Sequence, residues 1–179
     1  MDLDLLDSLC AHALRAPTAG NSAGVRMYTA AKEEVSGYFA VATDEKWRES
    51  SRPFAGIARA GALILVTSRP QDYLERYCEF DKATSQLNRR ENWTVPYWHT
   101  DAAMATMSLL LLLEECELGA VMWGNFRNNA AVMQWANITD EELFATVLVG
   151  TAGGEEVPSR SLARHVPPRA ERVQRIRGR

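Results

Sequence analysis

Between Ala102 and Leu113 only Thr106 and Ser108 are polar. A helix that is apolar on nearly every side must be buried on nearly every side. One domain of 179 residues cannot easily wrap such a helix alone. The simplest solution is a second subunit that covers part of it. Asp101 is placed to accept bonds from the free amides at the helix start. Glu114, Glu115 and Gly119 supply a polar end and a stop.

Composition is that of an ordinary globular chain, 46% hydrophobic and 24% charged, and the length suggests one domain, or one domain with an appendage. The longest apolar run is shorter than the roughly 20 residues that span a bilayer. The first residues, Met-Asp-Leu-Asp-Leu-Leu-Asp, are acidic where a signal peptide is basic, so a cytoplasmic protein without membrane association is expected. Cys10, Cys78 and Cys116 are odd in number and far apart, which supports neither a disulfide framework nor a metal site. Residues 159–179 hold seven arginines (160, 164, 169, 172, 175, 177 and 179) against Glu171, near +6, which leaves the remainder near −9 of a net −3. Such a tail is a solvated arm, an arm lying on an acidic surface of its own dimer, a phosphate ligand or a nucleic-acid contact. The last is the least favoured, because no aromatic residues interleave the arginines.

Leu3, Leu6, Cys10, Ala13 and Leu14 recur at helical spacing, with Asp2 or Asp4 as cap and Pro17 as terminator. A loop of small residues follows to Gly24, and Val25–Ala30 reads as a strand. Residues 31–59 read as two helices interrupted at Gly37 and Pro53. Ala62–Thr67 is a continuous apolar run that suits a strand buried on both faces. Residues 71–77 make a short helix, and 79–96 a long polar and aromatic loop of the kind that is functional or mobile. After the apolar helix come a strand at 119–123, a helix at 129–136 and a strand at 144–149. The order predicts an α+β or α/β fold in three layers. We read a domain over 1–158 and an Arg-rich arm over 159–179.

No GxSxG signature, GxxxxGK[ST] loop or HExxH pair is expected, and His12, His99 and His165 are scattered. Without them, chemistry would fall to a bound cofactor. Two loops suit one. In Pro17-Thr-Ala-Gly-Asn-Ser22, small side chains let a planar ring approach the backbone, and Thr18, Asn21 and Ser22 offer hydrogen bonds. In Trp123-Gly124-Asn125, a glycine at a strand end exposes backbone groups. Each is also compatible with a plain turn. His99, beside Trp98, is either a pocket residue or a packing residue at the helix entry.

Taken together, these segments resemble the nitroreductase family of flavoproteins. The resemblance rests on Arg15-Ala-Pro-Thr-Ala-Gly-Asn-Ser22, Tyr73-Leu-Glu-Arg-Tyr77, Asp81-Lys82, Val95-Pro-Tyr-Trp-His-x-Asp101, the Leu-rich helix, Leu118-Gly119, the Gly124 turn through Phe126, Val147–Gly150 and Ser159-Arg-Ser-Leu162. It implies a mixed central sheet flanked by helices in an intertwined homodimer, with the long helix at the dimer core and the C-terminal arm reaching across the partner. It implies two FMN molecules at the subunit interface, reduced by NADH or NADPH. Hydride transfer from flavin N5 to a nitroaromatic, quinone or similar small-molecule acceptor follows. No protein catalytic residue is then required.

Carried over by position, Pro17, Thr18, Gly20 and Asn21 would line the flavin ring, and Trp123 and Gly124 would meet its pyrimidine edge. Arg164 would bind the phosphate, and Trp98 and His99 would adjoin the substrate pocket. The family's opening Arg-x-Ser/x-Arg segment has no counterpart in the residues before the first helix, and its Asn-x-Gln-Pro/Gly-Trp becomes Asn21-Ser-Ala-Gly-Val25. Val166 or Pro167 stands at a second basic position of the tail. The phosphate would therefore need Arg160, Arg164 or Arg169. The alternative is a nitroreductase-fold protein with a degenerate flavin site that binds another ligand or a partner subunit.

Overall fold

The computed structural model describes residues 1–125, 127–151 and 160–176. Phe126, Ser159, Arg177, Arg179 and the expected boundary between 158 and 159 lie outside the described residues.

Helix α1 (Leu3–Ala13) is capped by Asp2, whose carboxylate accepts from the Asp4 and Leu5 amides. Strand β1 (Val25–Ala31) follows, then α2 (Lys32–Ala42), α3 (Glu45–Ser50) and α4 (Phe54–Ile57). The stretch expected as two helices is thus three. Asp44 caps α3 through the Trp47 amide, and Pro53 stands at the start of α4. Strand β2 (Ala62–Ser68), α5 (Pro70–Arg76), α6 (Tyr97–Glu115), β3 (Leu118–Trp123), α7 (Asn129–Trp135) and β4 (Glu142–Thr151) complete the domain. Between α5 and α6 the long loop contains only two short 3₁₀ turns, Ala83–Ser85 and Arg90–Asn92.

The four strands form one sheet in the order β1-β2-β4-β3. Every pairing is antiparallel, so these strands supply no parallel neighbour to the sheet expected as mixed. One extra residue of β4, Phe144, falls where Val66 faces Ala145 and Thr67 faces Leu143. Residues alternate between two cores. Ala62, Ile64, Val66, Val147 and Val149 pack with α1 and α6 on one face. Leu63, Leu65 and Leu148 pack with α2 and α7 on the other. All seven residues of β2 are buried, as its unbroken apolar sequence requires. Fully burying each of its large side chains contributes about 1.5–3 kcal/mol. The result is the expected three-layer α+β architecture.

Two readings at α6 need correction. The helix begins at Tyr97, after Pro96, so Asp101 is not its cap but a buried residue inside it. At the other end, Glu117 takes the left-handed turn at φ 58°, and Gly119 is already in β3. Along the helix, Trp98, Asp101, Ala102, Ala105, Thr106, Leu109 and Leu113 form the buried stripe, of which Ala102, Ala105, Leu109 and Leu113 pack in the core with the sheet. Met104, Met107 and Leu111, at three- and four-residue spacing, form a second stripe that remains 40–60% exposed.

Candidate functional site

The loop between α1 and β1 is short, and its backbone turns sharply. Gly20, Asn21 and Ala23 all adopt positive φ, at 64°, 58° and 52°. For the two non-glycine residues that conformation costs about 1–2 kcal/mol each, so other bonds must hold the loop. The Ala19 amide donates to Asp101 Oδ2 at 2.7 Å, and Arg76 Nε donates to the Gly20 carbonyl at 2.8 Å. The Ala23 amide donates to Thr18 Oγ1 at 3.2 Å. Close packing explains both glycines. A Cβ on Gly20 would lie 2.7 Å from a Tyr77 ring carbon, and one on Gly24 would lie 2.4 Å from the Tyr73 ring.

Asp101 is 1% exposed and ties three segments together. Its Oδ2 accepts the Ala19 amide and also the Tyr73 hydroxyl, at 2.9 Å. Burial first, and then the hydrogen bond to Asp101, push the Tyr73 hydroxyl far above its ordinary value, so it stays protonated and donates. Beside Asp101 is a cavity of about 180 Å³ lined by Leu14, Ala16, Thr18, Ala23, Val25 and Ala105. Sequence reading missed this role because the partners are Ala19 and Tyr73, far from Asp101 in the chain. A carboxylate near a helix start looks like a cap whenever only its neighbours are visible.

The turn after β3 is held differently. Asn125 inserts its amide into a ring of bonds: Tyr38 OH donates to Asn125 Oδ1 at 2.7 Å, and Asn125 Nδ2 donates to Thr146 Oγ1 at 3.0 Å. Tyr38 OH and Thr146 Oγ1 are also 3.0 Å apart. Burial is the main cause that raises the Tyr38 hydroxyl above its ordinary value. Trp123, next to Gly124, packs its ring edge-on against Trp47, with centroids 5.1 Å apart.

The expected site residues fall into separate groups. Pro17, Thr18, Gly20 and Asn21 share the loop before β1. Trp123 and Gly124 lie at the end of β3. Val25 pairs with Ser68 and Ser68 with Glu142, whereas Trp123 pairs with Thr146, Thr146 with Leu65 and Leu65 with Tyr28, so β3 runs toward the end that carries the loop but stops level with the middle of β1. The two segments occupy opposite edges, three strand spacings apart, so at least ~14 Å separates them. No hydrogen bond or ring contact among the described residues joins them. Trp98 is 3% exposed and packs edge-on against Tyr73 and Trp93, with the Arg90 guanidinium 5.0 Å over its ring. Its Nε1 has no partner among the described residues. His99, one position on, faces outward. Its Nε2 lies 2.7 Å from Glu142 Oε2, in a cleft of about 680 Å³ that also includes Asn129, Gln134 and Asn137. Arg164 is exposed in the tail, one residue past a 3₁₀ turn.

Gly20-Asn-Ser-Ala-Gly24 carries the GxSxG spacing, contrary to the expectation that no such signature is present. Its geometry is not that of a nucleophile elbow. The segment precedes a strand instead of joining a strand to a helix, and Ser22 Oγ donates to the Ala19 carbonyl at 2.5 Å. Among the described residues no group of three or more His, Cys, Asp or Glu side chains is placed to hold a metal ion. No helix there is long and apolar enough to cross a membrane.

The loop before β1 fits one edge of a planar ring. Its side chains are small, and Thr18 and Asp101 line the adjoining cavity together with apolar carbons. A cavity of that size takes an edge and not a whole flavin. It is lined by Ala105, on the helix that carries the exposed Met104, Met107 and Leu111 stripe.

A family model, that of the nitroreductase family, matches residues 1–151. Solved structures share the fold. A nitroreductase family protein from Streptococcus pneumoniae TIGR4 superposes with a TM-score of 0.71 at 16% identity, covering 98% of this chain and 90% of that one. A protein from Desulfovibrio desulfuricans assigned as a nitroreductase, solved in complex with FMN, gives 0.63 at 19%, covering 98% and 86%. The nitroreductase CinD from Lactococcus lactis, solved with 4-nitrophenol, gives 0.65 at 17%, covering 94% and 90%. No curated protein matches the chain in sequence. The chain belongs to the nitroreductase family.

Proposed function

We propose that the protein is an FMN-dependent oxidoreductase that works as a homodimer, in the cytoplasm, and passes reducing equivalents from NADH or NADPH to a nitroaromatic, quinone or similar acceptor. Family membership supports the flavin chemistry. The observation that carries the assembly is the separation of the two ring-contact segments on opposite edges of the sheet, together with the uncovered Met104, Met107 and Leu111 stripe. A second copy laid on that stripe would bring the loop before β1 of one subunit toward the end of β3 of the other.

In this reading Pro17, Thr18, Gly20 and Asn21 line one side of the ring, and the backbone of Trp123 and Gly124 meets its edge. Arg164 binds the phosphate, within an arm over 159–179 that packs on the partner. His99 adjoins the acceptor pocket. Bound FMN supplies the hydride-transferring atom, N5. The chain's contribution is to orient the ring, exclude water and position the two reactants in turn.

The test is a titration of the purified protein with FMN, followed by visible absorbance and native mass spectrometry. A dimer loaded with flavin that oxidises NAD(P)H in the presence of a quinone is the expected result. A colourless protein that binds no flavin at micromolar FMN sinks the reading and leaves a family member with a degenerate flavin site. In the Gly124→Val variant the dimer should persist with weakened FMN affinity. Unchanged affinity would show the ring edge to lie elsewhere.

A further inference from the structure

We propose that Asp101 is a positioning residue for the flavin-contact loop: a single buried carboxylate oxygen fixes the Ala19 backbone and, through Tyr73, locks the loop to α5 and α6. This rests on the flavin reading given above.

The geometry is specific to one atom. Oδ2 takes both the Ala19 amide at 2.7 Å and the Tyr73 hydroxyl at 2.9 Å. Among the described residues the other oxygen, Oδ1, has only the Thr100 hydroxyl beside it, at 3.4 Å, and that hydroxyl also donates to the Tyr97 carbonyl at 3.0 Å. The side chain is 1% exposed, and no described Lys, Arg or His forms an ion pair with it. A buried carboxylate without a cation is costly, and here both bonds on Oδ2 come from neutral donors. What those bonds accomplish is local. Ala19 begins the turn in which Gly20 and Asn21 take positive φ. Tyr73 is the ring against which Gly24, at the far end of the same loop, is packed. Asp101 therefore holds one end of the loop directly and backs the other through Tyr73. Asp101 lies on the helix whose opposite stripe is uncovered, so this oxygen is a direct link between that helix and the loop.

An asparagine has a carbonyl oxygen that can accept both bonds, and its amide nitrogen would face Thr100 Oγ1, itself an acceptor. Asp101→Asn should therefore rescue what Asp101→Ala loses, which a role of the charge itself would not produce, while Tyr73→Phe keeps the ring's bulk and so separates the hydrogen bond from packing. The experiment measures amide hydrogen exchange across residues 16–24 in the full chain without added FMN, and FMN affinity by titration. It compares wild type, Asp101→Ala, Asp101→Asn and Tyr73→Phe. Asp101→Ala should speed exchange at Ala19 and weaken FMN binding, each by about tenfold or more, with exchange in β2 unchanged. Asp101→Asn should stay within about twofold of wild type in both, and Tyr73→Phe should fall between the two. If Asp101→Ala does not fold, the Asn and Phe variants still separate the outcomes.

Asn that exchanges as fast as Ala, Tyr73→Phe indistinguishable from wild type, or a loop indifferent to Asp101→Ala each overturns the proposal. So does a loop that loosens while FMN affinity is unchanged. A wild type that binds no FMN, with loop exchange responding as expected, overturns the flavin reading alone and leaves Asp101 as the determinant of the loop.

Discussion

The loop before β1 and the residues that follow β3 both carry a glycine and lie at opposite edges of the sheet. They are held by different elements. The loop is gripped from outside: Asp101 takes its amide, Arg76 takes a carbonyl, and Tyr77 packs against Gly20. Bonds within the loop shape its turn, and its position depends on the placement of α5 and α6. After β3 the Asn125 amide is bonded to Tyr38 and Thr146 on the layers beneath. Its placement depends on the sheet and α2. A change at α6 should reach the loop and spare the turn.

Leu111→Glu tests that asymmetry with the largest expected effect. Leu111 is 60% exposed on the uncovered stripe, so the substitution should leave the subunit folded while placing a charge in the proposed dimer interface. A shift from dimer to monomer in light scattering is expected, with loss of FMN binding. An unchanged dimer would place the interface elsewhere. Gly20→Val comes next. A branched side chain at φ 64° and 2.7 Å from Tyr77 should cost about 2–4 kcal/mol in urea unfolding, from left-handed strain plus overpacking. Tyr38→Phe strikes the turn instead. It deprives Asn125 Oδ1 and Thr146 Oγ1 of a shared partner, for an expected loss of about 1–2 kcal/mol, with loop exchange untouched.

The smallest effect is a pH dependence. Burial works against ionisation of Glu142, but the Arg90 and His99 contacts outweigh it and hold its carboxyl below the ordinary 4.5. A depressed carboxyl favours the folded state above pH 4.5, and that contribution is lost as pH falls through the native value. Because the pair is partly exposed, the contribution is at most about 1 kcal/mol. Comparing acid unfolding of wild type and Glu142→Gln should show a shallower decline below pH 4.5 in the variant. Equal slopes would mean that the pair contributes nothing.

Local periodicity made much of the fold legible. The stripe of α1, the unbroken apolar run of β2 and the strand at 144–149 all declare themselves within a few residues. The 31–59 region was harder, because three short helices share one stretch and their apolar faces are set by contact with Trp123, Trp135 and the sheet. The site was legible at the level of loops and not of bonds. Small residues at 17–22 marked a place where backbone is approached closely, and the structure puts Tyr77 against Gly20. Nothing near Asp101, Asn125 or Tyr38 in the chain points to their partners, which are brought to them only by the finished layers. Trp98 and His99 show the same limit. Adjacent in sequence, they diverge by one helical step, one into the aromatic interior and the other into an open cleft.

Strand β2 lies between β1, its near neighbour in the chain, and β4, which is synthesised long afterwards. Ala62 meets Val149 across the centre of the sheet. During vectorial synthesis β1 and β2 can pair early, while the other edge of β2 waits through the whole of α6 and β3. For that interval the most apolar strand of the protein offers unpaired amides and carbonyls to any extended chain nearby. The nascent protein is most vulnerable to misassociation before β4 emerges, and a chain truncated ahead of Glu142 should aggregate rather than persist as a soluble fragment.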